Sequence, residues 1–165
     1  SRAYRCKYVA RQIAVKAKYA LWLTAAERDQ MATILAACPG TKLVVTGYVY
    51  SIDCQPIEHA LVDFWQCDDA AVYDNVGYTL RGHQFTDSEG RYQLTTIMPG
   101  IYTGRTRHIH VKVQEPDQPV LTSQLYFPDE PANATDGIFD PSLVMDLAAA
   151  DNNDGKVGFF TFVLE

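Results

Sequence analysis

Two histidines one residue apart carry the clearest chemical signal in this sequence. His108 and His110 lie in the run GRTRHIHVKV, residues 104–113, whose later part alternates apolar and charged residues as a β-strand does. Side chains at positions i and i+2 of a strand leave the same face, so the two imidazoles are expected to point together. A pair of neutral imidazoles on one rigid strand predicts half of a metal site. A polar pair on a solvated strand face is the alternative.

The spacing alone leaves open which residues would complete such a site. Glu115 follows His110 by five residues, as in cupins, and two histidines with one carboxylate form a common ferrous site. The glycine that cupins carry after this glutamate is absent. The other candidates are Tyr73, in DDAAVYDN, and Tyr102, in PGIYTGR. Taken singly, each tyrosine is better explained as a core or rim residue.

Composition limits the classes of protein to which the chain can belong. Its 165 residues suffice for one compact domain with a sizeable core and are too few for two. Basic residues number 14 and acidic residues 20, a net charge of −6, and no basic stripe forms beyond the N-terminal segment. A nucleic-acid surface is therefore not expected. No apolar run is long enough to span a bilayer, and the expectation is a monomer that binds a small molecule.

The N-terminal segment, residues 1–40, is predicted to be helical and to pack on the core. Thr24 stands as an N-cap with Glu27 three residues later, which is the spacing of a capping box. Pro39 and Gly40 then end the helix, because proline and glycine do not continue it.

The remaining residues, 41–165, are predicted to form an antiparallel β-sandwich, so that the fold is a single, mainly β domain with a short N-terminal helical segment. Short runs rich in Val, Tyr, Thr, Phe and Ile recur between turn signals. Phe64 and Trp65 are expected in the core. The predicted strands are residues 43–53, 60–68, 78–87, 90–100, 107–114, 120–128 and 156–165.

The four cysteines form an even set without a CxxC pair, which argues against a zinc knuckle and a thioredoxin-like motif. Disulfides and buried free thiols both remain open. Cys54 lies in a turn and Cys67 ends the next apolar run, so we predict a Cys54–Cys67 disulfide and a second one between Cys6 and Cys38. Two disulfides imply an oxidising compartment, and we expect a secreted protein. A sequon at Asn133 fits that expectation.

Three quoted runs together resemble a known family. VTGYVYSIDCQPIEHALVDFWQCDDAAVYDN is similar to the opening strands and first tyrosine loop of the intradiol ring-cleavage dioxygenases, non-haem iron enzymes that open catechols between the two hydroxyl-bearing carbons. YTLRGHQFTDSEGRYQLTTIMPGIYTGRTRHIHVKV resembles the family block RGxQxTDxxGxYxxxTIxPGxY…GRxxHIHxxV, and LTSQLYFPDE continues it. The cysteines and the short chain resemble the small secreted branch.

The resemblance implies a ferric site and an activity. Its four Fe(III) ligands would be Tyr73, Tyr102, His108 and His110. Arg105 and Gln124 match the active-site arginine and glutamine of the family, and Tyr102 would be displaced by the substrate and take one of its protons. The implied reaction joins a small aromatic diol with O2 and gives a muconic-acid-type product, without an organic cofactor.

Ligand chemistry is consistent with ferric iron. A phenol has a pKa of about 10, so a tyrosinate at neutral pH needs a hard, strongly Lewis-acidic metal. Two tyrosinates and a hydroxide would balance the three charges of Fe(III), which suits a partly apolar cleft.

Two departures from the family pattern lie near the expected site. The stretch CPGTKLV replaces a Gly-Pro-Tyr-Tyr element, and Arg107 stands where small members often carry proline. We expect Arg107 to face solvent. Two other functions remain open: a cupin-like ferrous enzyme that uses His108, His110 and Glu115, and a β-sandwich binding module without catalysis.

Overall fold

The computed structural model describes residues 40–151 and 155–165, and before residue 40 only isolated positions. The predicted capping box is confirmed, because the Glu27 N–H donates to the Thr24 hydroxyl at 3.0 Å and the Thr24 N–H donates to the Glu27 carboxylate at 3.0 Å. The rest of the predicted helical segment lies outside the described residues, and the division at residue 40 stays a prediction. In the described part of the chain, no helix is long and apolar enough to cross a membrane.

Nine strands and two short 3₁₀ helices form in the described ranges. The strands are β1 (Lys42–Ser51), β2 (Leu61–Trp65), β3 (Arg81–Phe85), β4 (Arg91–Ile97), β5 (His108–Gln114), β6 (Leu121–Tyr126), β7 (Asp146–Ala149), β8 (Lys156–Phe159) and β9 (Phe162–Leu164). The 3₁₀ helices are Pro131–Ala134 and Pro141–Leu143.

The strands build two sheets that face each other across the core. One sheet has the order β4-β1-β8-β7, with β9 also paired to β1, and the other has the order β3-β2-β5-β6. The predicted mainly β sandwich is therefore confirmed. The strand pairs are antiparallel, as predicted, except for the pairings of β1 with β8 and with β9, which are parallel.

The last predicted strand is divided into β8 and β9 at Phe160. The Phe160 N–H donates to the Thr46 carbonyl at 3.0 Å, and the Phe160 carbonyl accepts from the Tyr92 hydroxyl at 2.7 Å. A Cβ on Gly47 would lie 1.6 Å from that carbonyl oxygen, so only glycine fits there. Strand β7 was not predicted, because its sequence, DLAA, has low β-propensity.

Alternation along the strands sends one set of side chains inward. Leu43 and Val45 of β1 meet Ile109 and Val111 of β5 in a fully buried apolar cluster. In β5 the histidines alternate with these apolar residues, so they leave the outer face of the sheet. The core therefore fixes the direction of the histidine pair.

The predicted Cys54–Cys67 disulfide is wrong, because both residues are free thiols. Cys54 is exposed in the turn after β1, and Cys67 is buried beyond the far end of β2, with its thiol 3.5 Å from the Gly100 carbonyl oxygen. The two cysteines thus lie at opposite ends of β2, a strand of five residues, whereas bridged cysteines need Cα atoms within about 7 Å. The Cys6–Cys38 pair lies outside the described residues.

Candidate metal centre

The centre is built on the outer face of the sheet β3-β2-β5-β6. His110 of β5 lies opposite Trp65 of β2 on one side and Gln124 of β6 on the other. His108, two residues earlier, lies opposite Tyr126. Strand register thus brings the two histidines and the predicted glutamine into adjacent rows on one face.

Three of the predicted ligand atoms converge on one point. The Nε2 atoms of His108 and His110 are 3.2 Å apart, and the Tyr73 hydroxyl oxygen is 3.2 Å from each of them. Two donors that bind one metal at about 2 Å each are separated by roughly 3 Å. The triangle therefore has the dimensions of a set of donors that share an ion.

The tautomer of His108 follows from its second ring nitrogen. The Nδ1 atom is 2.7 Å from the Thr106 carbonyl oxygen, which can only accept, so the proton is on Nδ1. The Nε2 lone pair then faces the centre. Burial lowers the pKa of His108, and the imidazole is neutral at neutral pH. A neutral imidazole with a directed lone pair is ready to bind a metal.

His110 is held by a ring contact. Its imidazole stacks on the Trp65 indole with centroids 4.8 Å apart and planes 3° from parallel. The Arg81 guanidinium lies 5.3 Å from the indole centroid, and the Lys112 ammonium lies 5.8 Å from it. Burial and, next, the charge of His108 lower the pKa of His110 to about 4, so this imidazole is also neutral at neutral pH.

The prediction that Trp65 is a core residue is wrong. In β2, Val62 and Phe64 are buried, and Leu61, Asp63 and Trp65 alternate with them on the outer face. Asp63 and Trp65 are two residues apart and therefore share one face of the strand. The polar Asp63 marks that face as the outer one, and this was the signal that could have placed Trp65 beside the site.

Tyr73 comes from the loop between β2 and β3. Asp74 closes this loop, because its carboxylate accepts the N–H groups of Val76, Gly77 and Thr79 at 2.7–3.2 Å. Desolvation by burial raises the pKa of Tyr73 to about 12, so the phenol keeps its proton at neutral pH unless a cation displaces it.

Tyr102 lies beside Tyr73 on the loop between β4 and β5. The two rings meet edge to face with centroids 5.6 Å apart, and 46% of Tyr102 is exposed. The backbones of the two loops are in close contact, since the Gly100 N–H donates to the Asp68 carbonyl at 2.8 Å and a Cβ on Gly100 would lie 2.5 Å from the Ala71 nitrogen. The structure thus brings Tyr73 to the histidine pair and Tyr102 into ring contact with Tyr73.

Arg105 and Gln124 are also brought together. The Arg105 Nη2 donates to Gln124 Oε1 at 2.6 Å, and its Nε donates to the Asp136 carboxylate at 2.9 Å. Asp136 was missed by sequence reasoning, because a single acidic residue in a loop carries no spacing signal that points to an arginine so far away in the chain.

The prediction that Arg107 faces solvent is wrong. Its side chain is 21% exposed, and its Nε is 2.5 Å from the carboxylate of Glu130. Its Nη1 donates to the carbonyl of Pro99, just before the Tyr102 loop. Arg107 therefore joins the start of β5 to two neighbouring loops.

The structure does not bring Glu115 to the histidines. Glu115 follows the far end of β5 and lines a separate surface cleft with His59 and Phe85. Along a strand, five residues span about 16 Å. Within residues 40–151 and 155–165, no group of three or more His, Cys, Asp or Glu side chains is arranged to hold a metal. The only third donor beside the histidines in that part is a tyrosine oxygen.

Asn133, in the predicted sequon, forms hydrogen bonds through both the oxygen and the nitrogen of its side-chain amide. The Oδ1 atom accepts from the Thr106 hydroxyl at 2.5 Å, and the Nδ2 atom donates to the Phe127 carbonyl at 3.0 Å. In this fold Asn133 anchors the residues before His108.

Comparison with known proteins places the chain in a family. A family model described as "Dioxygenase" matches residues 17–165. The chain belongs to the intradiol ring-cleavage dioxygenase family. It superposes with a TM-score of 0.75, at 54% identity, on the dioxygenase domain of a dioxygenase carbohydrate-binding protein fusion from Streptomyces sp. SirexAA-E, with 77% of this chain and 81% of that chain covered.

More distant relatives carry related names. The protocatechuate 3,4-dioxygenase beta chain of Burkholderia cepacia is 33% identical to this chain over an alignment of 118 positions, and the alignment covers 61% of this chain and 50% of that one. The structure of 3-chlorocatechol 1,2-dioxygenase from Rhodococcus opacus 1CP matches with a TM-score of 0.71 at 27% identity, over 76% of this chain and 60% of that one. The chain spans about half the length of the curated relatives it matches.

Proposed function

We propose that this protein is an Fe(III)-dependent intradiol dioxygenase that cleaves the ring of catechol-type aromatics with O2 and gives muconic-acid-type products. The observation that carries the proposal is the triangle of His108 Nε2, His110 Nε2 and the Tyr73 hydroxyl, with 3.2 Å along each edge. Tyr102, in ring contact with Tyr73, would be the fourth ligand.

The chemistry of this donor set fits ferric iron. Two neutral nitrogens and two phenol oxygens form a harder set than the thiolate and imidazole ligands that favour zinc. Because burial raises the pKa of Tyr73 to about 12, only a strongly Lewis-acidic cation would release its proton at neutral pH. Bound Fe(III) would supply that acidity and would activate a chelated catechol toward O2.

The protein's own residues would bind the substrate and move its protons. The Tyr102 oxygen would accept one proton from a catechol hydroxyl as its side chain swings toward solvent, and 46% of this residue is already exposed. Arg105 would face the negative charge of the substrate, because a guanidinium stays protonated and offers a planar fork of donors. Gln124, hydrogen-bonded to Arg105, would orient the ring.

The names of the relatives support a diol substrate. The curated relatives are named after protocatechuate, catechol, hydroxyquinol and chlorocatechol. These compounds share two adjacent ring hydroxyls, and adjacent hydroxyls can occupy two positions on one metal. Partners other than a small aromatic diol and O2 are not required by this proposal.

A visible spectrum tests the proposed ferric site. Iron-loaded protein is expected to show a reddish tyrosinate-to-iron charge-transfer band, and Tyr73→Phe and Tyr102→Phe should each weaken or shift it. Glu115→Gln is the matched control and should leave the band unchanged, because Glu115 lies beyond the far end of β5. A colourless protein that contains stoichiometric iron would contradict the proposal.

The reaction is tested separately by oxygen uptake with catechol. Both atoms of O2 should appear in a ring-opened diacid. A red protein that takes up no oxygen with any simple catechol would favour the non-catalytic binding module. A colourless ferrous enzyme that fails when Glu115 is replaced would favour the cupin-like alternative.

We also propose that the protein is secreted. The free thiols of Cys54 and Cys67 remove one support for this location, and the predicted Cys6–Cys38 pair remains its basis. Thiol titration of protein isolated from its native host, inside and outside the cell, would test it, and a wholly intracellular protein with four titratable thiols would contradict it.

A further inference from the structure

Asp136 is a buried carboxylate at the edge of the candidate centre. Its side chain is 2% exposed. Its Oδ2 atom accepts from Arg105 Nε at 2.9 Å and from the Thr106 N–H at 2.8 Å, and its Oδ1 atom accepts from the Ile138 N–H at 3.1 Å. A buried charge is stable only when it is paired and hydrogen-bonded, and Arg105 is the cation that compensates this one.

The contacts continue from Arg105 to β6, the strand next to the one that bears the histidines. Arg105 Nη2 donates to Gln124 Oε1 at 2.6 Å, and the Tyr126 hydroxyl lies 3.1 Å from the same oxygen. The Tyr126 hydroxyl is also 2.8 Å from the carbonyl oxygen of Ile138, whose N–H returns to Asp136. The chain of contacts is therefore closed. We name it the Asp136 ring, and its members are Asp136, Arg105, Gln124, Tyr126 and Ile138.

The Asp136 ring determines which polar groups remain for a substrate. The Arg105 guanidinium can only donate hydrogen bonds, so the Gln124 atom that faces it must be the amide oxygen, Oε1. The NH2 group of Gln124 is then the end of the amide that Arg105 does not bind. A guanidinium carries five N–H groups, and two of those on Arg105 are used by Asp136 and Gln124. The remaining three N–H groups bond to neither Asp136 nor Gln124.

We infer that Asp136 is a positioning residue, which sets the guanidinium of Arg105 and the amide of Gln124 for a bound, negatively charged diol. This inference rests on the proposed function. Asp136 is not in the triangle of His108, His110 and Tyr73, and it would act on the substrate through Arg105, while its bond to the Thr106 N–H holds the backbone before His108. The charge of the carboxylate matters because a neutral amide in its place would hold the guanidinium through a weaker hydrogen bond without charge assistance.

A double-mutant cycle tests this role on the iron-loaded protein. Asp136→Asn, Arg105→Gln and the double variant are assayed with catechol for kcat and KM. Asp136→Asn is expected to lower kcat about tenfold with little change in KM, because misplacing a group that acts in the transition state affects the chemical step. In the Arg105→Gln background the same substitution should change kcat less than about twofold, since coupled residues are not additive. Equal losses in both backgrounds would overturn the inference.

A nearby ion pair supplies the matched control. Arg107 pairs with Glu130 at 2.5 Å in the same loop region, without a bond to Gln124. Glu130→Gln should change kcat for catechol by less than about twofold, although it removes a comparable ion pair. A loss as large as that of Asp136→Asn would mean that any disturbance of this loop region is sufficient, and would overturn the specific role of Asp136.

Hydrogen exchange in the metal-free protein separates this inference from the proposed function. The Nε–H groups of Arg105 and Arg107 are followed by NMR. Asp136→Asn should speed exchange at Arg105 and leave Arg107 unchanged, and Glu130→Gln should do the reverse. Faster exchange at both arginines in Asp136→Asn would indicate general loosening and overturn the inference.

Tyr126→Phe, a milder change, should speed exchange at Arg105 only slightly, which keeps the test available if Asp136→Asn does not fold. A catechol assay that fails for the wild-type protein would refute the function and leave this measurement valid.

Discussion

The candidate centre has two halves that are held in different ways. His108 and His110 lie on β5, in the middle of a sheet where each is in register with a partner on β6. Tyr73 and Tyr102 lie on two loops that contact each other through their backbones near Gly100. The strand half is fixed by many cooperative hydrogen bonds and a buried core, whereas the loop half depends on a few local contacts. The site thus combines two histidines on a rigid strand with two tyrosines on more adaptable loops.

This division suits a centre that must exchange a ligand. A ligand on a strand could move only by breaking the sheet, whereas a ligand on an exposed loop can rotate at low cost. Tyr102 is 46% exposed, and His108 is 4% exposed. If one donor leaves when a substrate binds, the geometry therefore favours Tyr102.

The largest effect is expected from breaking the strand half. His110→Ala should lower both iron content and ring cleavage by more than about 100-fold, because a lost ligand costs at least as much as a lost supporting partner. Iron per protein by elemental analysis and oxygen uptake would measure it. His83→Ala, on the exposed face of β3 in the same sheet, should behave like the wild type. Stoichiometric iron in His110→Ala would contradict the assignment.

Replacing the tyrosines should distinguish the two members of the loop half. Tyr73→Phe is expected to weaken iron binding at least tenfold, since the Tyr73 oxygen is one corner of the triangle, and Tyr102→Phe should weaken it less. Competition with a chelator measures the affinities of both variants. Equal losses would show that the exposed Tyr102 is held as firmly as the half-buried Tyr73, and the contrast between the two loops would fail.

Within the strand half, Trp65 is expected to support His110 as Thr106 supports His108. His108 has a hydrogen bond from its ring to a carbonyl, and His110 has the indole stack. Trp65→Leu should lower the cobalt(II) affinity of the metal-free protein about tenfold, the effect of losing a partner that orients a ligand. Phe85→Leu, at an exposed position of the neighbouring strand β3, is the control. An unchanged cobalt(II) affinity in Trp65→Leu would show that the indole does not support metal binding.

The smallest effect concerns the pH dependence of the Tyr73 loop. Hydrogen bonds from the Thr79 hydroxyl and then from the Gly77 N–H lower the pKa of Asp74 to about 2. An unfolded aspartate has a pKa near 4, so this stabilisation is fully present above about pH 4 and is lost as the pH falls toward about 2. Asp74→Asn should flatten that part of the stability curve and cost about 1 kcal/mol or less near neutral pH, as for an exposed cap.

Urea denaturation from pH 2 to pH 7 would measure the change in Asp74→Asn. Asp53→Asn, in the exposed turn after β1, is the control. A variant whose stability falls with acid as steeply as that of the wild type would show that the loop is held by other contacts.

The sequence predicted the strand half better than the loop half. Alternation along a strand is local, so HIHVKV was enough to point both imidazoles to one face, and the strands that support them were placed to within a few residues. The family motifs added the tyrosines and Arg105. Asp136 and the Arg107–Glu130 pair escaped prediction, because they join loops across distances that no local periodicity encodes.

The errors have the same origin. The Cys54–Cys67 disulfide assumed a short bridge across neighbouring strands, yet Cys54 is exposed in the turn after β1 and Cys67 is buried beyond the far end of β2. Trp65 was assigned to the core from its residue type, although the alternation of β2 places it outside. The division of β8 from β9 depends on a backbone contact between Gly47 and Phe160, far apart in the sequence.

The parallel pairing of β1 implies an order of assembly. The sheet that bears the centre is complete within residues 61–126, whereas β1 pairs Leu43 with Lys156 and Val49 with Phe162. Contacts between distant residues form slowly, because a long loop must close before they stabilise the chain. We expect the amides of β2 and β5 to gain protection in pulse-labelled refolding before those that join β1 to β8, so that the face for the metal exists before the sandwich closes behind it.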